Sequence, residues 1–123
     1  MGINNFVIAT FFIERKRRIS MEIKELADRS KRIREAYHEL ERKQDGRPWS
    51  PEQDALAFLT DAGLVGRLVM DKQGSWPTSD PEPTLDYKIA ENIWWLSSIA
   101  EANGIDLETA LNNFLKSREQ HLN

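Results

Sequence analysis

Two short stretches of this sequence set charged and amide side chains at helical intervals. The first is Asp61-Ala62-Gly63-Leu64-Val65-Gly66-Arg67, and the second is Lys88-Ile89-Ala90-Glu91-Asn92-Ile93-Trp94-Trp95. Both fall in segments of helical periodicity, where residues three apart lie on one face. Asp61 thus shares a face with Leu64, and Lys88 with Glu91. The chain contains no cysteine, which excludes disulfides, thiolate zinc sites and cysteine nucleophiles. His38 and His121 are its only histidines, so a histidine-rich metal site is excluded as well.

Helices are expected to carry these residues. Ile19, Ile23, Leu26, Ser30, Ile33, Tyr37 and Leu40 recur at spacings of four and three. They predict one helix over about residues 19–44, with a face suited to an antiparallel bundle or a dimer. Asp45-Gly46-Arg47-Pro48 ends it. Ser50-Pro51-Glu52-Gln53 predicts the next start, with a capping serine, a proline in the first turn and a glutamine to close a capping box. Apolar residues then cover most of the second helix, to about residue 72, so a central position is expected for it. Gly63 and Gly66 inside it point to close approach of another helix, since each costs about 1 kcal/mol against alanine. Residues 73–83, with three prolines, read as a loop. Thr84 opens a third helix striped by Leu85, Ile89, Ile93, Leu96, Ile99 and Ala100 and stopped by Gly104. Asp106 caps a fourth, with Leu107, Leu111, Phe114 and Leu115 facing inward. The expected fold is all-α, with four main helices.

At 123 residues, 40% hydrophobic and 30% charged, the chain has the size and composition of one globular domain. That domain is assigned to residues 21–123. Residues 1–20 read as an N-terminal arm that docks on a neighbour, or as sequence upstream of a start at Met21. Their apolar run from Phe6 to Ile13 is far short of the roughly 20 residues that cross a bilayer, and it lacks the pattern of a signal peptide. No membrane partner is expected, and the cytoplasm is the default location. The net charge of −3 divides unevenly: residues 14–47 hold 12 bases and 8 acids, and the rest of the chain 5 bases and 12 acids. Because the acids interleave with the bases in the basic half, a solvated helix face is expected there and not a nucleic-acid surface.

Taken with Gly104-Ile105-Asp106-Leu107-Glu108 further on, the two stretches resemble the MazG-like nucleotide pyrophosphohydrolases over about residues 21–120. That family carries E-x-x-E on one helix and E-x-x-D on the next, with a glycine beside the first motif and a tryptophan just after the second. The resemblance implies a four-helix MazG-like bundle whose four carboxylates converge on Mg²⁺, with Mn²⁺ as a substitute. It also implies hydrolysis of a nucleoside triphosphate to the monophosphate and pyrophosphate, the cation offsetting charge and activating a water. Here two of the four positions depart from the pattern. Leu64 offers no ligand, and Lys88 puts a positive charge where the cation would sit. Asp61 and Glu91 remain as metal ligands by resemblance, with Asp54 and Asn92 as candidate helpers. Lys88, Lys116 and Arg118 are the candidate phosphate-binding residues.

Three readings compete on this basis. Asp61 and Glu91 hold one Mg²⁺ weakly; or the fold survives without hydrolysis, with Lys88 paired to an acid or to a phosphate; or the chain is a helical interaction module. Lys116 and Arg118 also suit the C-terminal end of a helix without any ligand. Trp94 and Trp95 suit either a core or a stacked base. A long helical chain leaves more apolar surface than one copy can cover, so a homodimer or a dimer of dimers is expected, through the first and second helices.

Overall fold

The computed structural model describes residues 20–123, and these form an all-α bundle of four helices. α1 spans Ile23–Asp45, α2 Pro51–Lys72, α3 Leu85–Ala102 and α4 Leu107–Leu122. The arm expected over residues 1–20 lies outside the described residues, Ser20 excepted. So does Ile19, and α1 begins only at Ile23.

Local chemistry sets the helix ends. The Ser50 hydroxyl accepts from the Gln53 N–H at 3.3 Å while the Gln53 side chain accepts from the Ser50 N–H at 2.9 Å. This is the reciprocal capping box that the sequence spells, with Pro51 in the first turn. The Asp106 carboxylate accepts from the Thr109 N–H at 2.8 Å and starts α4. Gly46 and Gly104 take left-handed conformations, with φ of 76° and 66°, just past the ends of α1 and α3. Thr84 stands at the N-cap of α3 without a side-chain capping bond.

The centre of the bundle is α3, not α2. α1, α2 and α4 each pack against α3, and among the described helices only α3 packs along α2. The physical reason lies in side-chain size. Ser97, Ser98 and Ala100 of α3 and Ser30 of α1 are all buried, and small side chains of this kind let a helix be surrounded by neighbours. α2 instead carries bulky apolar groups on most sides. The α1–α3 pair runs antiparallel, with Lys31 bridging Glu101 at 3.3 Å and Tyr37 beside Trp94.

Little apolar surface is buried by this packing. Among the described residues, Trp95 and Ala100 are the buried hydrophobic ones, against seven buried polar or charged residues. Ile33, Tyr37 and Leu40 of the α1 stripe stay about half exposed, because the side of α1 turned inward carries Ser30, Arg34 and Glu41. The close approach expected at Gly63 and Gly66 is not made within the described residues, since a Cβ added at either would meet nothing within 4 Å. No helix among the described residues is long and apolar enough to cross a membrane.

Candidate functional site

α2 and α3 bring Asp61, Lys88 and Glu91 to one point. The Lys88 ammonium donates to Asp61 Oδ1 at 3.0 Å and to Glu91 Oε1 at 2.7 Å, so it lies between the two carboxylates. The other Asp61 oxygen accepts from the Trp95 indole N–H at 2.8 Å. Asn92 ties the two helices together, its amide donating to the main-chain carbonyls of Asp61 and Lys88 at 3.2 and 2.7 Å. That amide's oxygen is buried and has no partner. Burial alone would raise the Asp61 carboxyl, but the bonds from Lys88 and Trp95 outweigh it and hold Asp61 below the usual aspartate range. The bond to Glu91 is the main cause that keeps the Lys88 ammonium above the ordinary lysine range.

A second ionic cluster, which the sequence reading did not assemble, stands beside the first. Arg34 of α1 forks onto two acids: Glu41, one oxygen at 2.7 Å and the other at 3.2 Å, and Asp54, at 2.5 and 3.2 Å. Glu41 also accepts the Trp49 N–H at 2.6 Å, which fixes the turn between α1 and α2. The guanidinium sits 5.9 Å from the Trp49 ring and 5.6 Å from the Trp95 ring. Burial would raise the Glu41 carboxyl, yet its bonds to Arg34 and to the Trp49 N–H bring it down. The signal in the sequence was thin. Arg34 and Glu41 are seven apart and so share a face, but charges on a long helix ordinarily mark a solvated face.

Between the clusters lies a cleft of about 350 Å³ walled by Tyr37, Trp49, Trp94 and Trp95, with Arg34, Glu41, Asp61 and Glu91 among its lining residues. The Trp94 ring lies 4.6 Å from Trp95 and 5.8 Å from Tyr37, centre to centre. Trp94 therefore belongs both to the packing of α1 on α3 and to the cleft wall. The ionic groups of the two clusters are Arg34 and Lys88 against Glu41, Asp54, Asp61 and Glu91, two cations against four acids.

The residues present do not fit a bound Mg²⁺. The position between Asp61 and Glu91 is filled by the Lys88 ammonium. Asp54, a candidate helper, gives both oxygens to Arg34. Asn92 turns its amide N–H groups, not its oxygen, to the α2–α3 contact. Among the described residues no three acids or histidines gather as a metal site. Leu64 is 38% exposed on α2. Lys116 and Arg118 lie on α4, outside the residues that wall the cleft, and the Arg118 guanidinium rests 5.6 Å from the Phe114 ring of its own helix.

No protein-family model, curated protein or solved structure matches the chain.

The charge arrangement predicts a pH profile. Asp61 and Glu41 are lowered in the folded state, so their contribution is present above the unfolded carboxyl values and is lost as pH falls through the folded ones. Lys88 is raised, so its contribution is present at neutral pH and is lost only above the ordinary lysine range. Melting curves are expected to give a flat Tm from about pH 6 to 9 and a decline below about pH 4, where free carboxylic acids titrate. A maximum near pH 4 would contradict the ion pairs.

Proposed function

We propose that this chain is a MazG-like nucleoside triphosphate pyrophosphohydrolase-type domain that recognises a nucleoside or nucleoside monophosphate and does not hydrolyse triphosphates. The observation that carries this reading is the Lys88 ammonium held between Asp61 and Glu91. It supplies internally the positive charge that the family draws from Mg²⁺, and it leaves no open position for a cation. The aromatic walls of the adjoining cleft suit a base, which every nucleotide presents as a flat π-face. The excess of acids over bases opposes a tetra-anionic triphosphate without its metal, and favours a ligand with less charge.

A thermal-shift series on the full chain tests this directly. Nucleosides and monophosphates are expected to raise Tm, triphosphates to raise it less, and no pyrophosphate release is expected with Mg²⁺ or Mn²⁺. Metal-dependent release that Asp61→Ala or Glu91→Ala abolishes would instead establish the hydrolase, with Lys88 swinging aside. Absence of any response to nucleotides would leave the helical interaction module as the correct reading.

A further inference from the structure

We propose that a second cavity, beside the cleft, binds a small organic cation of the quaternary ammonium class. This cavity, of about 280 Å³, is lined by Ile33 and Tyr37 of α1 and by Tyr87, Ala90, Glu91 and Trp94 of α3. On α3 these residues recur at helical spacing, so they follow one face. Ala90 is the small residue among them, and its short side chain leaves a hollow between larger neighbours. The cavity shares Tyr37, Glu91 and Trp94 with the cleft, whereas Tyr87 lies outside the cleft lining.

The lining selects the charge of the ligand. Tyr37, Tyr87 and Trp94 are aromatic, and the faces of aromatic rings attract cations. Among the described residues that line the cavity, Glu91 carries a charge and no lysine or arginine joins it. Lys88 answers both Asp61 and Glu91 with one charge, so the three groups together stay net negative. The Lys88 side chain, 11% exposed, is engaged in that pairing and is not part of the cavity lining. In the cleft, by contrast, the Arg34 guanidinium already lies near the Trp49 and Trp95 rings.

The lining also selects the shape. Tyr37 and Trp94 stand 5.8 Å apart and tilted by 55°, so their rings form a corner. A flat base stacks along one face, whereas a rounded tetrahedral group fills a corner. A metal ion needs several oxygen ligands, and the cavity offers a single carboxylate. A primary ammonium likewise brings three N–H donors that want acceptors. A quaternary ammonium brings none. The volume stands just below the range of about 300–1,000 Å³ usual for drug-sized ligands, which suits a small cation. This inference does not depend on the nucleotide reading.

Isothermal titration of the full chain with tetramethylammonium, with choline and with a neutral analogue of choline tests the proposal. In the analogue a tert-butyl group replaces the trimethylammonium group, so shape is kept and charge is lost. Both cations are expected to bind, and the analogue to bind at least about tenfold more weakly. Equal binding of choline and the analogue would reveal an apolar hollow indifferent to charge, and overturns the proposal. So does the absence of binding by either cation at tens of millimolar. Tyr87 is 60% exposed, so changing it disturbs little packing. Tyr87→Leu is expected to weaken choline by about tenfold, whereas Tyr87→Phe, which keeps the ring, retains it. A Tyr87→Leu chain that binds choline as the parent does places the cation elsewhere and overturns the proposal. The same variant should leave any response to nucleosides unchanged, which separates this cavity from the cleft. A peptide carrying trimethyllysine that binds ten times more tightly than choline would make the partner a protein, and overturns the small-molecule ligand.

Discussion

Arg34→Ala is expected to cost about 3–5 kcal/mol, a large share of the stability of a domain this size. Glu41 and Asp54 are buried, with side chains 10% and 4% exposed, and Arg34 is the cation that reaches both. Removing it leaves two uncompensated carboxylates in a water-poor setting, together with a tryptophan turn that has lost its anchor. Arg34→Lys keeps the charge, but a single ammonium cannot reproduce two bidentate contacts, so it should recover only part of the loss. Urea denaturation at several pH values separates this explanation from simple loss of packing. The deficit of Arg34→Ala should shrink as pH falls from 7 toward 5, because protonation relieves unpaired buried acids. A deficit independent of pH would mean that Arg34 matters chiefly through its contacts with Trp49 and Trp95.

The double change Leu64→Glu with Lys88→Glu is expected to convert the ammonium-filled position into a divalent cation site. It removes the charge that lies between Asp61 and Glu91, and it restores acids three residues apart on both helices. Without metal, four neighbouring carboxylates repel one another, so the variant should melt below the parent chain. With Mn²⁺ at a hundred times its Kd, binding linkage returns about 2.7 kcal/mol, or about 10 °C in Tm for a domain of this size. Isothermal titration with Mn²⁺ reads the site without any reference to activity. The parent chain should show no such binding. A variant that folds and still takes up no Mn²⁺ would show that positions 64 and 88 do not face the Asp61–Glu91 point, and the likeness to the MazG-like pattern would lose its basis.

These two clusters differ in how far the sequence revealed them. Asp61, Lys88 and Glu91 were legible because each motif is local, with helical spacing and a resemblance to supply the pairing of the two helices. A pair of Lys88 with one acid, Glu91 or Asp61, was among the open options, but its place between both was not. The Arg34 cluster was not legible. Its carboxylates come from seven and twenty residues away, and a charged residue on a long helix is ordinarily solvated. Asp54 was misleading for the same reason: its position before Asp61 suggested an oxygen ligand, while its true partner sits on another helix. The hydrophobicity of α2 points to a central place that α3 in fact takes, because hydrophobicity measures how much surface a helix needs covered and not what covers it.

Local sequence signals were enough for the four helices of the described residues, for most of their ends and for the caps at Ser50 and Asp106. Those features depend on groups three or four residues apart, such as Ser50 with Gln53 and Asp106 with Thr109. Which side of α1 turns inward, which helix is central and which cation answers each acid emerge only when the helices pack. Those outcomes rest on contacts such as Arg34 to Asp54, Lys88 to Asp61 and Trp95 to Asp61, which span 20, 27 and 34 residues. Local periodicity marks a face as apolar or polar, but the partner of a buried charge is set only when separate helices meet.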